Sequence, residues 1–82
     1  MRIRDAAHIS RLIESGDFRV GTAFTDTTGM YEVTHITKNQ PHDHISVYAV
    51  EFTVDDENGN ITYPAGSERS LTHYDLTGVE VM

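Results

Sequence analysis

From residue 5 to residue 15 the apolar positions recur at helical spacing. Ala6, Ile9 and Ile13 share one face with Leu12 at its edge, while Arg4, His8, Arg11 and Ser15 fall on the other. The spacing predicts a helix over about 5–15, capped by Asp5 and stopped at Ser15-Gly16, where glycine accepts a left-handed backbone. The apolar stripe is expected to lie on a sheet and the basic stripe to meet water or a partner.

After Gly16 the period falls to two. Phe18, Val20, Thr22 and Phe24 alternate with Arg19, Gly21, Ala23 and Thr25, the pattern of a half-buried strand. Asp26-Thr27-Thr28-Gly29 reads as a turn, and residues 30–37 as the second strand of a hairpin. Tyr31 and Val33 share a face by parity and Ile36 does not, so a bulge or a two-sided environment is expected near His35. Residues 38–43 form a polar loop in which Pro41 breaks any ladder.

Residues 44–54 give the strongest strand. Ile45, Val47 and Ala49 are apolar on one face, and Tyr48, Val50, Phe52 and Val54 on the other. Such a strand is central, bends across a barrel, or offers one face to another chain. Residues 55–60 form a loop with an Asn-Gly turn signal, and Ile61 and Tyr63 mark a short fourth strand ended by Pro64. Residues 65–70 read as loop. Leu71, Tyr74 and Leu76 read as core anchors in a segment of undecided type, a turn of tight helix among the options. Val79 and Val81 suit a last short strand.

These elements predict one mainly β (α+β) domain over 1–82, with a helix at about 5–15 and a β-rich region at about 17–82. Five short strands with close turn signals suggest a small antiparallel SH3-like barrel carrying the N-terminal helix. A curved open sheet with the helix packed on one face is the second arrangement. An OB-type barrel fits less well, because no helix fits between the third and fourth strands.

Charge adds the most to this picture. The net charge is −7, and it is not spread evenly. Residues 1–41 hold five bases and five acids, whereas residues 42–82 hold Arg69 alone against eight acids. A field of that sign repels nucleic acid and attracts basic surfaces. There is no cysteine, hence no disulfide, zinc-thiolate site or thiol nucleophile. The charged start Met1-Arg2-Ile3-Arg4-Asp5 leads into no apolar run, so neither a signal peptide nor a membrane span is read, and a cytoplasmic protein is expected.

Candidate chemistry is sparse. His42-Asp43-His44 would place two imidazoles on one strand face, where zinc, nickel or copper bind well. With Glu51 downstream it is similar to part of the cupin metal motif. It departs from that motif because Glu51 lies too far on and falls on the opposite face, and the chain is short for an eight-stranded jelly roll. His35 or His73 would have to complete a site. The loop Asp55-Asp56-Glu57-Asn58-Gly59-Asn60 lacks EF-hand spacing. Ser70, His73 and Asp75 lie close in sequence without a nucleophile elbow, and the glycines are scattered rather than gathered into a phosphate loop. No cofactor is implied and an enzyme is not expected.

The pattern favours a non-catalytic protein-binding module. Its contacts would come from Glu51, Asp55, Asp56, Glu57 and Glu68, with Tyr48 and Phe52 as apolar partners. In size and charge the chain resembles small acidic inhibitors of phages and mobile elements, some anti-CRISPR and anti-restriction proteins among them. Those present carboxylates in place of phosphates to the basic groove of a nucleic-acid enzyme. The partner expected is therefore a basic nucleic-acid-processing protein, with no direct nucleic-acid or membrane binding. Strand edges permit a homodimer. The alternative is a metal- or small-ligand-binding barrel built on His42 and His44.

Overall fold

The computed structural model describes residues 1–39, 44–64, 66 and 68–82. Its elements are α1 (Ala6–Ser15), β1 (Ala23–Thr25), β2 (Met30–Asn39), β3 (His44–Val54), β4 (Ile61–Thr62), β5 (Arg69–Thr72), α2 (His73–Leu76) and β6 (Glu80–Val81). The fold is a mainly β, antiparallel sheet with a helix near its start, as the periodicity predicts.

α1 begins and ends on the predicted residues. The Asp5 carboxylate accepts the His8 amide at 2.8 Å, and Gly16 (φ 83°) turns its N–H back to the Ile13 carbonyl. Its buried face is rotated from the expected one. His8, Ile9 and Leu12 are buried, Ile13 is half-buried and Ala6 is exposed. His8 leaves the predicted polar stripe because its Nδ1 accepts the Arg4 amide at 3.0 Å, which satisfies the ring against the chain entering the helix.

The first strand is shorter than its alternation implies. Residues 18–22 form a turn: Thr22 N–H donates to the Arg19 carbonyl, and Gly21 takes φ 95°. Val20 is 59% exposed there. The turn still joins the sheet, since Gly21 N–H donates to the Val33 carbonyl and Val33 N–H to the Thr22 carbonyl.

The expected irregularity in β2 is present. Val33 pairs with Ala49 and His35 with Tyr48, so Thr34 is the extra residue of a β-bulge. The bulge returns Ile36, opposite Val47, to the face that holds Tyr31 and Val33.

The sheet order is β4-β3-β2-β1-β6, with β5 also on the outer edge of β3. The sheet is not closed. Of the two expected arrangements the structure has the second, an open sheet rather than an SH3-like barrel, with six strands instead of five. The reason lies at both edges. β5 and β4 share the β3 edge, over residues 46–49 and 53–54. The other edge is taken by residues 1–3: Val81 N–H donates to the Met1 carbonyl, Ile3 N–H to the Val79 carbonyl and Gly78 N–H to the Ile3 carbonyl. The segment of undecided type is β5 followed by α2. Leu71 and Leu76 are buried, but Tyr74 is 80% exposed and is not a core anchor.

The core lies on one face of this sheet. Phe18, Phe24, Tyr31, Val33, Val47 and Leu71 pack with Ile9 and Leu12 of α1 and Leu76 of α2. Phe24 stacks on Tyr31 with ring centroids 5.6 Å apart and tilts against Phe18 at 6.2 Å. One end of the core is closed by polar groups. The Arg69 guanidinium lies 5.1 Å from the Tyr31 ring centroid and 3.2 Å from Asp26 Oδ2. Asp26 also accepts from the Thr28 hydroxyl and from the amides of Thr28 and Gly29.

Candidate functional site

Register sorts the side chains of the acidic half. Pairs Val33–Ala49, Val47–Leu71 and Ala49–Arg69 face the core, so Glu32–Val50, Met30–Phe52, His35–Tyr48 and Tyr48–Ser70 face the other way. On that second face, which we call the open face, both helices are absent because they pack on the first. β4 extends it, with Ile61 opposite Val54.

Two side-chain straps cross β3 on the open face. The Tyr63 hydroxyl, 3.2 and 3.3 Å from the two Glu32 carboxylate oxygens, shares its one proton between them, reaching from the β4 side of β3 to β2. Burial first, then the negative charge of Glu32 and the bond to it, push the Tyr63 hydroxyl above its usual pKa. The second strap joins Glu68, next to β5, to Thr34 of the bulge, with Thr34 Oγ1 to Glu68 Oε2 at 2.7 Å. Thr34 Oγ1 is also 3.1 Å from the Tyr48 carbonyl. Val50 lies between the straps. Glu32 is its partner on β2, and Glu68 stands one residue before Arg69, the partner of Ala49. At a strand spacing of ~4.8 Å, the Glu32 and Glu68 backbones flank Val50 at about 10 Å from each other.

Of the predicted contacts, Glu51, Asp55, Asp56, Glu57 and Glu68 are all exposed, but the fold does not gather them on one surface. Glu68 is on the open face. Glu51 pairs with Tyr31, so it faces the helix side near Gly29. Asp55, Asp56 and Glu57 occupy the β3–β4 turn. Asp55 is committed to that turn: it accepts the Glu57 amide at 2.9 Å and the Asn58 side-chain amide at 3.2 Å, the first of which does most to lower its carboxyl pKa. Asp56 and Glu57 are the outward charges of the loop. Tyr48 is half-buried on the open face with its ring 5.6 Å from His35. Phe52 is only 6% exposed, tilted against Tyr63 at 6.5 Å, so the ring presented to solvent is that of Tyr63.

Glu32, Tyr63 and Ile61 belong to this surface and were missed as contact residues. Glu32 sits in the charge-balanced half of the sequence, and only its pairing with Val50 places it among the later acids. Parity around the bulge carried that signal.

The open face is one-signed where it is apolar. From β2 across β3 to β4 and β5, no described Lys or Arg points to it. Lys38 pairs with Ile45 on the core side, and Arg69 is held by Asp26 and Tyr31, also on the core side. The described cations that share this side, Arg2 and the Met1 ammonium, pair with Glu80 at the far edge, beyond β1.

The histidine pair lies partly outside the described residues: His42 is not among them, and His44 is exposed at the start of β3. Among the described residues no three His, Asp or Glu side chains are grouped to hold a metal. Asp75 is taken up as a cap, accepting the Thr72 amide and hydroxyl at 2.9 and 3.2 Å, while His73 rests against Tyr74. An open cleft of about 450 Å³ lies at the 18–22 turn, lined by Asp17, Arg19, Val20, Gly21, Val81 and Met82 and by none of the predicted contact residues. Among the described residues, no helix is long and apolar enough to cross a membrane. No protein-family model, no curated protein and no solved structure matches this chain.

Proposed function

We propose that the chain is a non-catalytic protein-binding module that presents carboxylates to a basic surface of a partner protein. The observation that carries this reading is the sorting of charge by the fold. The cation of the acidic half, Arg69, lies on the core-side face, paired with Asp26 and with its side chain 43% exposed there, while Glu68 is exposed on the open face and Asp56 and Glu57 in the loop beyond it. On the open face from β2 to β5 the charge of the described side chains therefore comes from carboxylates, and such a field steers a basic partner and repels nucleic acid.

A basic surface of this kind is found on proteins that bind nucleic acid, so the finer reading is an inhibitor of the phage or mobile-element type, its carboxylates standing where phosphates would. Copurification from the native host at low salt, followed by a salt titration, tests both levels. The expected outcome is one dominant basic nucleic-acid-binding protein, whose affinity falls as salt screens the charges and falls further for Asp56→Lys with Glu57→Lys. A complex indifferent to salt and to those reversals would refute the reading. A basic partner that binds nucleic acid equally well in the presence of the module would refute only the inhibitor version.

A further inference from the structure

We infer that the open face is the docking surface, and that its occupant is a partner segment with an apolar centre flanked by arginine or lysine. This rests on the binding-module reading and moves the centre of the interface away from the acidic loop. Val54, Ile61 and Tyr63 are 42%, 55% and 51% exposed and share the open face with half-buried Val50 and Tyr48, the buried Phe52 lying between Val50 and Val54. Exposed apolar side chains that share a sheet face mark an interaction site rather than random scatter. Glu32 and Glu68 flank this row of side chains at Val50, and Asp56 and Glu57 lie beyond Val54.

Charge complementarity selects among occupants. A second copy packed open face to open face would set Glu32 and Glu68 against their own equivalents, with no Lys or Arg from β2–β5 between them. An anionic bilayer is repelled for the same reason. A partner whose apolar residues rest on Val50, Val54 and Ile61, and whose flanking cations reach Glu32 and Glu68, meets both requirements. Charged groups then steer and orient, while the apolar centre supplies contact that salt does not screen.

The test is an NMR titration of the isotope-labelled full chain with two probes of equal positive charge, an alternating arginine–leucine peptide and oligoarginine. The arginine–leucine peptide is expected to bind at least tenfold tighter and to shift Tyr48, Val50, Val54, Ile61 and Tyr63. Val50→Lys and, separately, Ile61→Lys should each cut that affinity at least tenfold with unchanged circular dichroism. Ile61 is exposed, so its variant reports even where Val50→Lys disturbs the strand. Equal affinity for the two probes, or shifts confined to residues 55–60, would overturn the docking surface while leaving the acidic-module reading standing. Failure of both probes to bind would count against the module reading itself. Concentration-dependent dimerisation mapped to the open face, or binding to vesicles of anionic lipid, would overturn the choice of occupant.

Discussion

Deleting a residue from the middle of a ten-residue strand normally turns every side chain beyond it to the wrong face. At Thr34 the opposite is expected. The bulge places one extra residue between Val33 and His35, so its removal leaves Val33, His35 and Ile36 in plain alternation with the same partners, Ala49, Tyr48 and Val47. The loss is local. Thr34 Oγ1 has one proton for two acceptors, the Glu68 carboxylate and the Tyr48 carbonyl, so about one hydrogen bond of net ~1 kcal/mol disappears. Local twist goes with it, for a total of about 1–2 kcal/mol. Deleting Glu32 instead, two residues earlier, turns Tyr31 out of the core. Tyr31 is 6% exposed, stacks on Phe24 and lies under Arg69, so the cost is in the ~3–5 kcal/mol range of emptying a buried aromatic site. A chain of 82 residues has about 4–12 kcal/mol in all, at ~0.05–0.15 per residue. Urea melts followed by far-UV circular dichroism should therefore show a cooperative transition at a modestly lower midpoint for the Thr34 deletion, and a fall in midpoint about two to three times larger for the Glu32 deletion. Equal damage from both would refute the view that the bulge is what sets the register of β2.

Asp26→Asn tests the polar plug at the end of the core. Burial alone would raise the Asp26 carboxyl, but bonds from the Thr28 hydroxyl, the Thr28 and Gly29 amides and Arg69 outweigh it and hold it below its usual value of 3.8. A carboxyl with a lowered folded pKa stabilises the fold above its unfolded pKa and loses that contribution as pH falls through the folded one. The Tm gap between the native protein and Asp26→Asn should be constant above about pH 5 and should close as pH falls toward 2. Gly16→Ala meets nothing within 4 Å of its new Cβ, so its cost is conformational, about 1–2 kcal/mol for a left-handed position. The corresponding Tm fall is about 4–8 °C per kcal/mol, and Gly16→Asn should cost less. Phe24→Ala, at a fully buried ring between Phe18 and Tyr31, should cost about 3–5 kcal/mol in chemical denaturation.

What the sequence revealed was mostly what neighbours in the chain decide. Helical spacing and Gly16 located α1, two apolar faces located β3, and the clash between Val33 and Ile36 exposed the bulge. The alternation of Phe18, Val20, Thr22 and Phe24 misled because a turn that buries Phe18 and Phe24 and exposes Val20 writes the same period as a strand. Gly21, at positive φ, was the residue that distinguished them. His8 was misplaced because its ring is satisfied by hydrogen bonds from the Arg4 amide and side chain, which periodicity does not record. The pairing of residues 1–3 with 78–81 joins opposite ends of the chain and leaves no local pattern, so the sequence left barrel and open sheet as alternatives, with the open sheet placed second. In the candidate surface, the exposed acids were legible one by one. Their division between two faces, and the recruitment of Glu32, required the register.

The two straps across β3 have a consequence for timing. Glu32, Tyr63, Thr34 and Glu68 are held by bonds within the chain before any partner arrives. Ordering a free side chain at an interface costs ~0.5–1.5 kcal/mol each, and here part of that ordering is completed during folding. A face arranged in advance needs no rearrangement step between encounter and docking. Association with a basic partner should then proceed at a rate set by electrostatic steering and its salt dependence, with a single kinetic phase, and cutting a strap by Tyr63→Phe should slow that rate less than it shortens the lifetime of the complex.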